Sequence, residues 1–165
     1  MRGAAAVVLV GLLAAACSGA DEGASDADRP STSAHSPEAV VIRTKLTVAP
    51  TAGAEVVATG EVLEGSTLGD SPFCVGGAIK DSHANLDPEV EPLGLLARTI
   101  TCPDGTVKVG FTPGQASGLK QTGTWTIASG TGAYEGLDGS GEFETTYDAS
   151  DDALARETYT GTVTR

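Results

Sequence analysis

Residues 122–143 read TGTWTIASGTGAYEGLDGSGEF, and this stretch decides the fold. Its first part alternates: Trp125 and Ile127 fall on one face, whereas threonines occupy the other. A period of two with β-branched residues predicts a strand that has one face buried. Trp125, the only tryptophan, is therefore expected to anchor the core and to need an acceptor for its indole N–H.

A glycine-rich corner follows this strand. Five glycines lie within residues 130–141, a density that suits a sharp bend or a close approach of backbones at the end of a sheet. Within the corner, residues 133–137 are predicted to form a single helical turn. Alternation resumes with Phe143, Thr145 and Tyr147 on one face, so the chain is expected to return as a second strand.

The same short alternating segments recur along the domain, which we place at residues 39–165. Residues 81–92 carry acidic residues and two prolines and are predicted to form a long loop. Eight short strands without a long amphipathic helix favour an all-β fold, a single eight-stranded antiparallel barrel that leaves no exposed edge. Apart from the two strands that flank the corner, the candidates are residues 40–48, 55–62, 73–79, 95–101, 106–111 and 157–164.

The segment WTI at residues 125–127, together with GTGAYEGLDGSG at residues 130–141, resembles the signature of the allene oxide cyclase/dirigent-like barrel superfamily. It is most similar to bacterial secreted members of unknown function. The resemblance implies an eight-stranded antiparallel barrel with an apolar interior, which in plant members holds a fatty-acid epoxide or a phenolic radical. The catalytic residues of those members have no match here, so the resemblance implies a fold and no catalytic residues.

The N-terminal region resembles a bacterial lipoprotein leader. Residues 1–16 form a short apolar signal peptide that ends before Cys17 in the sequence LAAAC, with the leucine one position further back than in the usual lipobox. We expect Cys17 to be acylated, which anchors the chain to the outer face of the cell membrane; the alternative is a secreted protein with a free Cys17. Residues 17–38 lack large apolar side chains and are predicted to be a disordered tether.

Two cysteines remain in the domain, Cys74 and Cys102. In an exported protein an isolated pair is most simply a disulfide. A reactive thiol pair is the alternative, but it lacks Cys-x-x-Cys spacing and an adjacent histidine.

Composition argues against several functional classes. With 10 basic and 22 acidic residues the net charge is −12, which repels nucleic acid and anionic headgroups, so only the lipid anchor is expected to hold the chain at a membrane. Ser140 lacks the glycine pattern of a nucleophile elbow, residues 130–136 lack a dinucleotide fingerprint, and His83 is the only histidine of the domain. The acidic residues 148–152 lack EF-hand spacing. We therefore expect no cofactor and no metal, and we favour a non-catalytic protein.

One constellation is a candidate ligand site. Arg98 shares strand parity with apolar neighbours, as does Glu157 with Tyr159, so these polar groups and Trp125 could line an apolar cavity. The alternative places Arg98 and Glu157 in solvent at the barrel rim, and we favour it because a bulge near a strand end easily breaks parity.

Three functions remain open. The first is a lipid-anchored, non-catalytic barrel that binds a small apolar ligand or an envelope partner. The second is a cyclase- or dirigent-type enzyme that steers an apolar intermediate, and the third is an interaction module whose interior is filled by side chains. A cavity of roughly several hundred Å³ would favour the first two over the third.

Overall fold

The structure is a computed structural model that describes residues 36–49 and 56–165. The predicted signal peptide, the acylation of Cys17 and residues 17–35 of the predicted tether lie outside the described residues. Ser36 and Pro37 are exposed and precede the first strand. Within the described part of the chain, none of the helices has the length and apolar character needed to cross a membrane.

The described chain is all-β, with eight long strands, two strands of two residues and three single 3-10 turns at Ala84–Leu86, Glu91–Leu93 and Gly132–Tyr134. The strands are β1 (Glu38–Val48), β2 (Val56–Val62), β3 (Thr67–Leu68), β4 (Ser71–Pro72), β5 (Ala78–His83), β6 (Leu96–Cys102), β7 (Gly105–Pro113), β8 (Lys120–Gly130), β9 (Asp138–Tyr147) and β10 (Leu154–Thr164).

The long strands close into a barrel. Each of them pairs antiparallel with its neighbours in the order β1-β2-β5-β6-β7-β8-β9-β10, and β10 pairs with β1 to complete the ring. The small β3–β4 hairpin adds to the first half of β1, beside the position where β2 ends. The predicted all-β, eight-stranded antiparallel barrel is therefore confirmed.

The predicted third strand was wrong in position. Residues 73–79 were expected to be extended, but β5 begins only at Ala78. Cys74 has a φ of 47° and Gly76 a φ of 78°, and these left-handed conformations turn the chain before the strand starts. The strand consequently includes Asp81, which the sequence had placed in the long loop.

The long loop is also shifted, to residues 84–95, and it packs on the outside of the barrel rather than extending into solvent. Val90 is fully buried in a small second core with Ala84 and Ala97. Gly110 lies beneath the loop, and a Cβ there would be only 2.8 Å from the Cβ of Leu93. The loop therefore covers the outer faces of β6 and β7.

The glycine corner and the disulfide close one end of the barrel. A helical turn was predicted at residues 133–137; it is present but begins one residue earlier and is shorter, as the 3-10 turn Gly132–Tyr134. The Tyr134 ring packs edge-on against Phe73 at 5.5 Å between centroids. Cys74 and Cys102 form the predicted disulfide, which joins the segment carrying Phe73 to the end of β6. Alternation along every long strand places the apolar side chains inside: Val40, Ile42 and Leu46 (β1), Val62 (β2), Ile79 (β5), Ile100 (β6), Val107, Val109 and Phe111 (β7), Trp125 and Ile127 (β8), Phe143 (β9), and Ala155, Tyr159 and Val163 (β10).

Candidate functional site

Arg98 lies in the centre of the barrel interior and is only 1% exposed. It is positioned by β6, on which it alternates with outward-facing residues, and its direct partner on the neighbouring strand β5 is Asp81. The guanidinium meets this carboxylate as a fork: Nε donates to Oδ1 at 2.8 Å and Nη2 donates to Oδ2 at 2.6 Å. A bidentate pair of this kind fixes the plane of the guanidinium as well as its position.

The other edge of the guanidinium reaches across the barrel to β10. Nη1 donates to Glu157 Oε2 at 2.6 Å and to the Tyr159 hydroxyl at 2.7 Å. Strands β6 and β10 are four places apart in either direction around the ring of eight, so they lie on opposite sides. The Arg98 side chain therefore spans the interior and ties two opposite walls together.

Two threonines flank Glu157, one on each neighbouring strand. Thr145 on β9 lies directly opposite Glu157 and donates its hydroxyl to Oε1 at 2.9 Å. Thr44 on β1 lies opposite Glu157 on the other side and is fully buried, yet its Oγ1 has no hydrogen-bond partner among the described residues. We call Arg98, Asp81, Glu157, Tyr159 and Thr145 the core cluster.

Aromatic rings enclose the core cluster. The Arg98 guanidinium carbon lies 5.1 Å from the ring centroids of both Phe111 and Tyr159, a distance at which a cation is attracted to the ring faces. Phe143 stacks on Tyr159 with 5.1 Å between centroids. The Trp125 indole N–H donates to the main-chain carbonyls of Glu142 and Thr160, at 3.1 Å each. The predicted acceptor for the indole is thus provided by backbone.

The electrostatics of the core cluster are dominated by burial. Burial raises the pKa of Asp81 above its usual 3.8, against the opposing charge and hydrogen bonds of Arg98. Burial also raises the pKa of Tyr159 well above its usual value, although the Arg98 charge opposes this effect. The phenol therefore stays neutral. Burial by itself lowers the pKa of Arg98, but the charges of Asp81, Tyr159 and Glu157 raise it overall, so the guanidinium stays charged.

Side chains fill the space around the core cluster. Two voids inside the barrel have volumes of about 10 Å³ each, at the lower limit for a single water molecule. One is lined by apolar residues of the closed end, including Phe73 and Leu137, and the other lies beside Arg98 and Tyr159. A drug-sized ligand needs roughly 300 Å³ or more, so neither void can hold one.

The sequence analysis grouped the right polar residues, but it favoured the barrel rim over the interior as their location. Arg98 and Glu157 are 1% and 7% exposed, so the rim interpretation was wrong and the inward orientation is confirmed. Trp125 and Tyr159 are buried in the same interior. Asp81 was missed as a member of the cluster, although its spacing of two from Ile79 was a usable signal of an inward position.

A larger concavity lies outside the barrel, across the outer faces of β8, β9 and β10. Its volume is about 780 Å³. We call it the outer groove, and its lining includes the polar side chains of Thr112, Thr122, Thr124, Glu142, Glu144, Thr158 and Thr160. Lys120 donates to Glu144 at 2.8 Å at its margin. The groove thus presents hydroxyl and carboxylate groups to solvent, whereas the charged groups of the core cluster are buried and paired with one another.

Within the described ranges, no three His, Cys, Asp or Glu side chains lie close enough together to hold a metal ion. His83 is half-buried at the end of β5, and Ser140 lies on β9. Comparisons of the chain with protein-family models, with curated proteins and with solved structures each returned no significant match. The fold therefore rests on the structure itself, and the similarity to the allene oxide cyclase/dirigent-like superfamily remains an expectation from the sequence.

Proposed function

We propose that this chain is an exported, lipid-anchored barrel on the outer face of the bacterial cell membrane, where it acts as a non-catalytic interaction module for an envelope partner. In this proposal the interior supplies rigidity, and the outer surface supplies recognition. The third function left open by the sequence is thus preferred over a carrier of a small apolar ligand.

The observation that carries the proposal is the Arg98 side chain lying across the barrel. Four of its N–H···O contacts are made to Asp81, Glu157 and Tyr159. An apolar ligand inside the barrel would have to separate these groups, and a buried charge that loses its partner costs several kcal/mol. The interior therefore favours its own side chains over a guest.

The outer groove is the surface that we propose binds the partner. It is an open concavity of about 780 Å³ on the outside of the barrel, a shape accessible to a partner from solvent. Threonine hydroxyls and the carboxylates of Glu142 and Glu144 favour a polar or cationic partner, and the strongly acidic chain would attract the latter at long range.

Export and anchoring rest on the N-terminal sequence and on the disulfide. Structural disulfides persist in oxidising compartments, which agrees with a chain that leaves the cytoplasm. Acylation of Cys17 would then hold the barrel at the membrane surface. Secretion in soluble form is the alternative.

A cyclase- or dirigent-type reaction inside the barrel is less supported. Such a reaction needs space for the intermediate and a group positioned for proton transfer. The interior carboxylates of Asp81 and Glu157 are instead held by Arg98.

Native mass spectrometry of the chain from its own host, released in mild detergent, tests the proposal. We expect a mass that corresponds to an acylated chain beginning at Cys17 and no stoichiometric passenger. The Cys17→Ser variant is the matched control and should lose the acyl mass and leave the detergent phase on phase partition. A stoichiometric apolar passenger in the wild type would contradict the filled-barrel proposal, and an unacylated chain would contradict the anchor.

A further inference from the structure

The charges of the core cluster do not balance. The cluster contains one guanidinium and two carboxylates, and Asp81, Arg98 and Glu157 are 2%, 1% and 7% exposed. With both acids ionised the sealed interior would carry a net charge of −1. An unbalanced charge inside a low-dielectric core is strongly unfavourable, and two acids that share one site resolve it most simply by binding a proton.

Among the lysines and arginines of the described residues, only Arg98 is buried in the interior. The acidic and basic side chains of β1, β2, β7 and β8 in the described chain lie on the outer face or at its margin. Burial also raises the pKa of Tyr147 and keeps this phenol neutral. The titratable and charged groups that face the cluster from the packed strands are His83 at the end of β5, Tyr147 on β9, and the members Asp81, Arg98, Glu157 and Tyr159.

We propose that the two carboxylates of the core cluster together hold one proton at neutral pH, and that the barrel loses stability when this proton is released. The cluster is then electrically neutral in the folded state. The two acids share the same guanidinium, so they are coupled and the proton is assigned to the cluster rather than to one carboxylate. The domain thereby acquires a stability that responds to external pH.

The hydrogen-bond geometry accommodates the proton if the Thr145 hydroxyl rotates and becomes the acceptor of this contact. Thr145 Oγ1 lies 2.9 Å from Glu157 Oε1, and a threonine hydroxyl can accept a hydrogen bond as well as donate one. A proton on the pair can therefore occupy this contact while Arg98 keeps both of its contacts to Asp81.

The sign of the pH dependence follows from the direction of the shift. Burial raises the pKa of Asp81 above 3.8, so above that pH the folded state binds more protons than the unfolded state. The stabilisation from the bound proton is complete below the unfolded pKa of Asp81 and is lost as the pH rises through its raised pKa in the folded state. Acidification therefore stabilises the cluster and alkalinisation destabilises it.

Urea unfolding of the full exported chain, followed by Trp125 fluorescence from about pH 5 to about pH 9, tests the proposal through the linkage of stability to protonation. The variants are Asp81→Asn and Glu157→Gln, since an amide mimics the protonated acid in shape and charge. Glu142→Gln is the matched control, because Glu142 is exposed on the outer face of β9 and changes only the repulsion between surface charges.

We expect at least one amide variant to keep the wild-type unfolding constant at neutral pH within about threefold and to flatten the pH dependence, whereas Glu142→Gln keeps the wild-type slope. In the same variant, the infrared carbonyl band of a buried carboxylic acid should disappear from its wild-type position. The proposal is overturned if both amide variants lose more than about threefold in the folding equilibrium, if their slopes match that of Glu142→Gln, or if the wild type lacks the carboxylic-acid band.

Discussion

The barrel interior has two regions that are stabilised by different interactions. Toward the end closed by the disulfide, the lining is entirely apolar and includes Ile127, Leu137 and Val163, whereas the middle is organised around Arg98 and its partners. The apolar region is stabilised by burial, which depends on volume and tolerates similar side chains. The core cluster depends on pairing, and removal of one partner leaves the others buried without compensation.

The largest expected effect comes from Arg98→Met, which keeps an apolar stem but removes the cation between two carboxylates. We expect a loss of about 3–5 kcal/mol in the free energy of unfolding, measured by urea titration at neutral pH. Lys108→Met is the control, because Lys108 forms ion pairs with Asp87 and Glu89 on the surface and should cost less than about 1 kcal/mol. Equal losses in the two variants would remove the distinction between the regions.

The next largest effect is expected at the apolar end, where the disulfide links two segments of the chain. Replacing Cys74 and Cys102 together by alanine opens a loop with a sequence separation of 28 and should lower the free energy of unfolding by about 3.5 kcal/mol in the chain-entropy description. The measurement is urea unfolding of the double variant beside the wild type. Thiol titration of the unreduced domain provides the control, and two free thiols there would contradict the bridge.

A smaller effect is expected from Thr145→Val, which preserves side-chain shape but leaves Glu157 Oε1 without its hydroxyl partner. The loss should be about 1–2 kcal/mol in the same unfolding assay. Ile127→Val, in the apolar region, should cost a similar amount through lost volume alone. The pH dependence separates them, since only the threonine variant should alter it. Identical pH profiles would argue against a role for Thr145 in the cluster.

The smallest effect, with the opposite sign, is expected from Thr44→Val. This hydroxyl is fully buried without a partner among the described residues, so its removal relieves a desolvation cost and should be neutral or stabilising by up to about 1 kcal/mol. Thr44 and Thr145 flank the same carboxylate and form a matched pair. A loss as large as that of Thr145→Val would indicate a partner, such as a bridging water, for Thr44 Oγ1.

The sequence predicted what depends on period and composition. Alternation around Trp125 gave the strands and the closed barrel, and the isolated cysteine pair gave the disulfide. Parity allowed Arg98 and Glu157 on the inward faces, but period two specifies a face and not a depth, so the rim was favoured over the interior and this preference was wrong.

Asp81 was not predicted as a member of the core cluster, and the reason is different. Cys74 and Gly76, both with positive φ, turn the chain before β5, and the acidic residues that follow resemble a solvated loop until the register with Arg98 is known. The strands β3 and β4 have two residues each, too few to show a period. The internal pairing of charges is a tertiary property that local pattern does not encode.

The claim that the interior is filled is tested most directly by Trp125, the only tryptophan and a residue 3% exposed at the barrel centre. Its emission would be recorded while a long-chain fatty acid is titrated into the full exported chain, with detergent-unfolded protein as the positive reference. A filled barrel predicts no saturable change in emission. A saturable change at one ligand per chain would contradict the filled barrel and indicate that the interior binds a ligand.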